Sequence, residues 1–191
     1  MDPLAQGTYS AQGAEKLDYS YFDSHVLAAT GTEVSMFQSP IGAGGKTISD
    51  TNMSLGGTLP RGQNFKIRAI RAEILGHAAY ATATIMLLYN WMRTVTVRLF
   101  ITGKDALYSK PLTEVMGIPM LINVIPTAAG DNIGNLSLGR FLGINPLNVP
   151  ITFAELTNFE VRLNWPTAIG ATAIVGDIIR ISLNGILLRR N

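Results

Sequence analysis

Residues 65–75 read Phe-Lys-Ile-Arg-Ala-Ile-Arg-Ala-Glu-Ile-Leu, and two alternating phases meet inside them. Phe65, Ile67 and Ala69 share one face of an extended chain, because successive strand side chains point to opposite sides. Ile70, Ala72 and Ile74 fall out of phase by one residue. A single extra residue near Ala69, a β-bulge, brings both apolar sets onto one face and sends Lys66, Arg68, Arg71 and Glu73 outward. The expectation is a half-buried strand with a bulge, its inner face continuously apolar.

The flanking chain repeats this logic. Between Thr94 and Thr102, Val95, Val97, Leu99 and Ile101 point one way, while Arg98 and Phe100 point the other. Phe159, Val161, Leu163 and Trp165 alternate with Glu160, Arg162 and Asn164 until Pro166 ends the run. From Asp177 to Leu183, Ile179, Ile181 and Leu183 alternate with Ile178, Arg180 and Ser182. Asn184-Gly185 then has turn chemistry, which would make Ile186 to Leu188 a closing edge. Val26 to Phe37 and Ile151 to Phe153 are shorter candidates. Segments of this kind between Gly, Pro and Asn clusters predict an all-β sandwich or barrel. Only Ala81 to Met92 and Pro111 to Met116 have helical character, the second with proline in its first turn. Ile118 to Asn148, with its prolines and glycines, reads as long loops, and no internal repeat occurs.

Met1 to about Ser24 shows neither period and reads as an N-terminal arm. Asp2, Glu15, Asp18 and Asp23 against Lys16 make it acidic, the wrong sign for neutralising phosphates. It also lacks the basic, apolar layout of a secretory signal. Only 15% of the 191 residues are charged, 47% are hydrophobic and the formal net charge is +2. Ordinary soluble domains carry about 25% charged residues. A surface this poor in charge implies burial against other subunits. Ile85 to Ile101 is the longest apolar stretch, and Asn90, Arg93 and Arg98 within it argue against a membrane span.

Sites of chemistry are scarce. There is no cysteine, which excludes disulfides and thiolate metal sites. Gly45-Lys46-Thr47 follows a glycine-rich stretch but lacks the P-loop spacing, since the first glycine would fall at Pro40, so an inter-strand loop is expected. His25 and His77 are the only histidines. Asp23-Ser24-His25 holds triad residue types whose side chains diverge in an extended segment. Two histidines do not suffice for an ordinary zinc site, and Asp131 to Asn135 lacks the repeated acids of a calcium loop. No catalytic, cofactor or metal residues are therefore expected. Lys66, Arg68 and Arg71 form the densest basic patch, and Arg189-Arg190 lies near the end. Without interleaved aromatics these bases suit a solvated face or intersubunit ion pairs better than sequence-specific nucleic-acid binding.

Read in order, an arm and a strand lead to a glycine-rich loop with Asp50-Thr51-Asn52-Met53. Leu59-Pro60 then enters residues 65–75, and the 81–92 insertion, the 94–101 strand, Gly103-Lys104 to Tyr108 and Lys110-Pro111-Leu112 follow. Over residues 25–190 this order resembles the jelly-roll coat proteins of tailless icosahedral viruses, especially bacteriophages with an internal membrane. The resemblance implies a single eight-stranded jelly-roll sandwich with one or two short helical insertions. Its divisions would be an extended arm at 1–24 and a jelly-roll domain at 25–191. It implies a virion structural protein, not an enzyme, assembled in the host cytoplasm. Its partners would be copies of itself and other capsid proteins, with an internal membrane or a minor or penton protein as further candidates. Tyr19, Tyr21 and Phe22 in the arm, outward-facing Phe100, and Arg189 and Arg190 are the candidate subunit-interface residues. The alternative is a jelly-roll carbohydrate-binding module or a receptor-binding appendage, in which loop aromatics stack on sugars. A metal-dependent jelly-roll enzyme would need more histidines.

Overall fold

The computed structural model describes residues 14–75, 82–101, 106–116 and 145–190. Its strands are β1 (Ala14–Val26), β2 (Glu33–Met36), β3 (Gln63–Leu75), β4 (Thr96–Ile101), β5 (Tyr108–Pro111), β6 (Asn145–Phe153), β7 (Phe159–Asn164) and β8 (Ile178–Arg190). Two helices, α1 (Thr82–Thr94) and α2 (Leu112–Val115), interrupt them. Pro111 ends β5 and stands at the N-cap of α2, one residue ahead of the first turn expected for it.

Pairing is nested: β4 with β5, β3 with β6, β2 with β7 and β1 with β8, all antiparallel. One long hairpin folded at its middle would contain those four pairs. Rolling the hairpin adds β3 beside β8 and β4 beside β7. The result is two four-stranded sheets, ordered β1-β8-β3-β6 and β2-β7-β4-β5. The protein is an all-β sandwich.

The inner faces hold the side chains that the alternation assigns to them. Phe65, Ile67, Ile70, Ala72 and Ile74 of β3 are buried, as are Val97 and Leu99 of β4, Phe159, Val161 and Leu163 of β7, and Trp165. Phe153 of β6 stacks on Phe159 of the opposite sheet with centroids 4.4 Å apart. Trp91 of α1 meets Trp165 edge to face at 5.8 Å, and Leu88 and Met92 are buried beside it. A helix of amphipathic sequence thereby extends the sandwich core.

The bulge lies where the phase break puts it. On β3 the register against β8 jumps from Ile67 opposite Gly185 to Ala69 opposite Asn184, leaving Arg68 as the extra residue. Ala69 and Ile70 are both buried, and Arg68 is exposed. Opposite the bulge, a Cβ on Gly185 would overlap the Lys66 carbonyl oxygen and lie 2.8 Å from its carbonyl carbon. Glycine is present because the β3 backbone approaches that closely.

Three expectations need correction. Asn184-Gly185 is not a turn; β8 runs straight through it to Arg190, because its glycine accommodates the bulge. Ile186 to Leu188 do not form an edge either, since β8 lies between β1 and β3. Residues 14–24, expected in the arm, belong to strand β1, in register with β8 from Ala14 opposite Arg190 to Val26 opposite Ile178. The rest of the expected arm, residues 1–13, lies outside the described residues. So do His77, the N-terminal end of the first helical candidate, residues 102–105, Asp131 to Asn135 and most of the 118–148 loops.

Candidate functional site

β1 is an edge strand, and unpaired edges invite pairing with other chains. Here the connection between β2 and β3 covers part of it. Asn52 acts as a substitute strand residue: its Oδ1 accepts from Phe22 N at 2.9 Å and its Nδ2 donates to Ser20 O at 2.7 Å. Thr51 Oγ1 donates to Phe22 O at 3.1 Å, and Asp23 and Thr51 form an isolated β-bridge. Farther along, Lys46 Nζ donates to Asp23 Oδ1 and, at 2.6 Å, to Ser24 O. Asp23 is buried, and its Oδ2 accepts from Phe37 N at 2.6 Å. Phe37 itself is wholly buried with φ at 69°, a left-handed conformation held by its surroundings. Arg180 Nη2 completes the attachment, donating to Ser49 O at 2.7 Å.

The Gly45-Lys46-Thr47 loop thus carries a structural lysine. Asp50 stabilises its turn by accepting from Thr47 N at 2.8 Å and Thr47 Oγ1 at 2.7 Å, which holds the Asp50 carboxyl below its ordinary range. His25 is half-buried beside the clasp. Burial first, then the charge of Lys46, lowers its pKa, with Asp23 opposing. Asn52→Ala is expected to lower stability by about 1 to 2 kcal/mol, through loss of two edge bonds. A urea unfolding midpoint measures it, and unchanged stability would mean that the edge needs no cover.

The interface candidates divide between core and surface. Tyr21 is core: it meets Phe65 edge to face at 5.0 Å, and its hydroxyl donates to Gln63 Oε1 at 3.0 Å. Burial, with Tyr19 adding, pushes its pKa up to about 12. It offers nothing to a neighbour, because alternation along β1 turns odd-numbered side chains inward. Tyr19 packs partly buried against Tyr21 at 4.9 Å. Phe22 points outward under the Arg180 guanidinium, 5.1 Å from its centroid. Phe100 also faces outward, with the Arg162 guanidinium 4.8 Å from its ring. Glu160 hydrogen-bonds Arg162 and keeps it firmly charged. Arg189 and Arg190 are exposed at the end of β8. Of the basic patch, Arg71 pairs with Glu73 on the outer face.

Sequence patterns did not reveal the most exposed apolar feature among the described residues. Between Ile67 and Ala69, β3 has only Arg68, whereas β6 runs from Ile151 back to Pro146. Leu147, Asn148, Val149 and Pro150 form the excursion, and Val149 is 77% exposed. Pro146 and Pro150 lack backbone N–H groups, which suits an interrupted edge strand. A groove of about 510 Å³ lies beside it, with Ile101, Leu107, Tyr108 and Ile151 in its walls.

Among the described residues no group of three His, Cys, Asp or Glu side chains could hold a metal ion. No described helix is long and apolar enough to cross a membrane. No protein-family model and no curated protein matches the chain. Its fold and surface must speak for themselves.

Proposed function

We propose that the chain is a structural capsid subunit, a single jelly roll that self-assembles into an icosahedral viral shell. The observation that carries this is the strand order. Nested pairs rolled into β1-β8-β3-β6 and β2-β7-β4-β5 are what a jelly roll with two Greek-key halves requires. Because folds host many functions, the surface must supply the rest. Ile48, Val149 and Leu156 are each more than half exposed on a chain with 15% charged residues. Such side chains suit contacts with further copies, and several weak contacts per subunit reinforce one another in a closed shell.

A sugar-binding role needs ring faces open to solvent. Among the described residues, the exposed large hydrophobic side chains are all aliphatic, while Phe22 and Phe100 lie under guanidinium groups. The test is light scattering after size exclusion, followed by electron microscopy. Wild-type protein is expected to form closed particles of uniform diameter. Phe100→Glu should disturb assembly while leaving the circular dichroism of the subunit unchanged. A protein that stays monomeric at high concentration in every salt and pH, while binding an oligosaccharide tightly, would overturn the proposal.

A further inference from the structure

We infer that the first part of β1 is a dimer seam, in which residues 15–19 pair antiparallel with the same residues of a second copy, centred on Leu17. Such a seam specifies one contact of the self-association proposed above, and rests on that reading only for its place in a shell. The other sheet edges are poor templates. β6 is interrupted by its excursion and by Pro146 and Pro150, while β2 and β5 have four residues each and β5 ends on proline. Short, irregular or proline-bearing edges resist pairing. On β1 the clasp occupies backbone groups of Ser20, Phe22 and Ser24. Among the described residues no group bonds the edge-facing backbone before Ser20, and residues 15–19 contain no proline.

The groups bound by the clasp show which way the backbone faces. Ser20, Phe22 and Ser24 are even-numbered, so Lys16 and Asp18 also turn their N–H and C=O groups to the open edge, while odd residues bond β8. A second copy must therefore set even residues opposite even ones. A register centred between two residues would oppose an edge-facing group to one that faces β8. Centring on Glu15, Lys16 or Asp18 sets that residue against itself, and like charges directly opposite destabilise a strand pair. Centring on Tyr19 runs Lys16 against Phe22, whose backbone Asn52 and Thr51 already hold. Centring on Leu17 meets none of these obstacles. Lys16 then faces Asp18 of the second copy and Asp18 faces its Lys16, each pair exchanging both main-chain hydrogen bonds. Both side chains are exposed, and their charges are opposite. Half-buried Leu17 meets its own copy. The contact is isologous, so it closes as a dimer and continues the sheet β1-β8-β3-β6 across a twofold axis.

Because the chain has no cysteine, disulfide scanning of the full chain reads the register directly. In the Leu17-centred pairing the two Leu17 Cα atoms form a non-hydrogen-bonded pair about 4.5 Å apart, a separation that a disulfide spans. After mild oxidation, Leu17→Cys is expected to run mostly as a covalent dimer on a non-reducing gel. Lys16→Cys and Asp18→Cys, each displaced from its own copy, should stay mostly monomeric. Preferred crosslinking at 16 or 18, or none at any of the three, overturns the inference. If Leu17→Cys does not fold, charge reversal decides. Lys16→Glu should weaken self-association at least several-fold in sedimentation equilibrium, and adding Asp18→Lys should restore it, since opposite charges again face each other. An unchanged association, or a loss that the second substitution does not repair, overturns the seam. Closed particles without the Leu17→Cys crosslink would remove the seam and leave the capsid reading standing. Crosslinked dimers that never close into particles would support the seam and remove the capsid reading.

Discussion

Gly185→Ala is expected to destabilise the protein by about 3 kcal/mol or more, at or beyond the upper end for overpacking a core. The added methyl would strike the Lys66 carbonyl, which is backbone and cannot swing away as a side chain can. Nor can either strand retreat, since β3 lies between β8 and β6, and β8 between β1 and β3. The bulge at Arg68 would have to be rebuilt, shifting the buried set Ile70, Ala72 and Ile74 against Phe65 and Ile67. Chemical denaturation with an unchanged slope and a lowered midpoint is the expected readout. A loss below about 0.5 kcal/mol, the range of ordinary surface substitutions, would mean that β3 and β8 do not approach this closely.

Asp23→Ala is expected to cost about 3 kcal/mol, the lower end for breaking a buried ion pair by removing one partner. The lower end applies because Lys46 retains 20% side-chain exposure and can turn its ammonium to water. Phe37 N has no such escape, since its residue is wholly buried in a left-handed conformation. An abandoned buried donor is destabilising in its own right. In a double-mutant cycle, adding Lys46→Met should restore part of the loss, because the ammonium no longer lacks its counter-charge. Strictly additive losses would show that the two groups act separately.

The contrast between β3 and β1 shows what local pattern can and cannot convey. The β3 bulge is legible because every inward position from Phe65 to Ile74 is apolar, so a one-residue phase slip stands out against the charged outer positions. β1 obeys the same alternation with Leu17, Tyr19 and Tyr21 inward, but Asp23 and His25 continue the inward row and Phe22 points out. Asp23 is satisfied by Lys46 and by a backbone amide of another segment, neither of which is visible from neighbours in sequence. A lone acid in an otherwise inward apolar row was the available signal for a distant basic partner. Asn184-Gly185 misleads for a related reason, because its turn chemistry is local whereas the need for glycine comes from β3. The clasp joins β1 to residues 14 or more positions away, and short-range periodicity carries no information at that distance.

The nested pairing also sets a timetable for biosynthesis. β1 leaves the ribosome before the other described strands, yet its partner is the last of them, ending at Arg190. At about 5 to 20 residues per second, the 164 residues from Val26 to Arg190 take roughly 10 to 30 s to be made. During that interval β3 also lacks β8, so neither strand can complete the sheet they will share. Non-local pairing of this kind folds slowly and leaves apolar strands exposed while it waits. Nascent chains on one message would therefore meet as incomplete sandwiches, in which Phe65, Ile67 and Tyr21 are still open to one another. Spacing between ribosomes, and chaperones that hold β1 and β3 apart, would then govern yield more strongly than the stability of the finished fold.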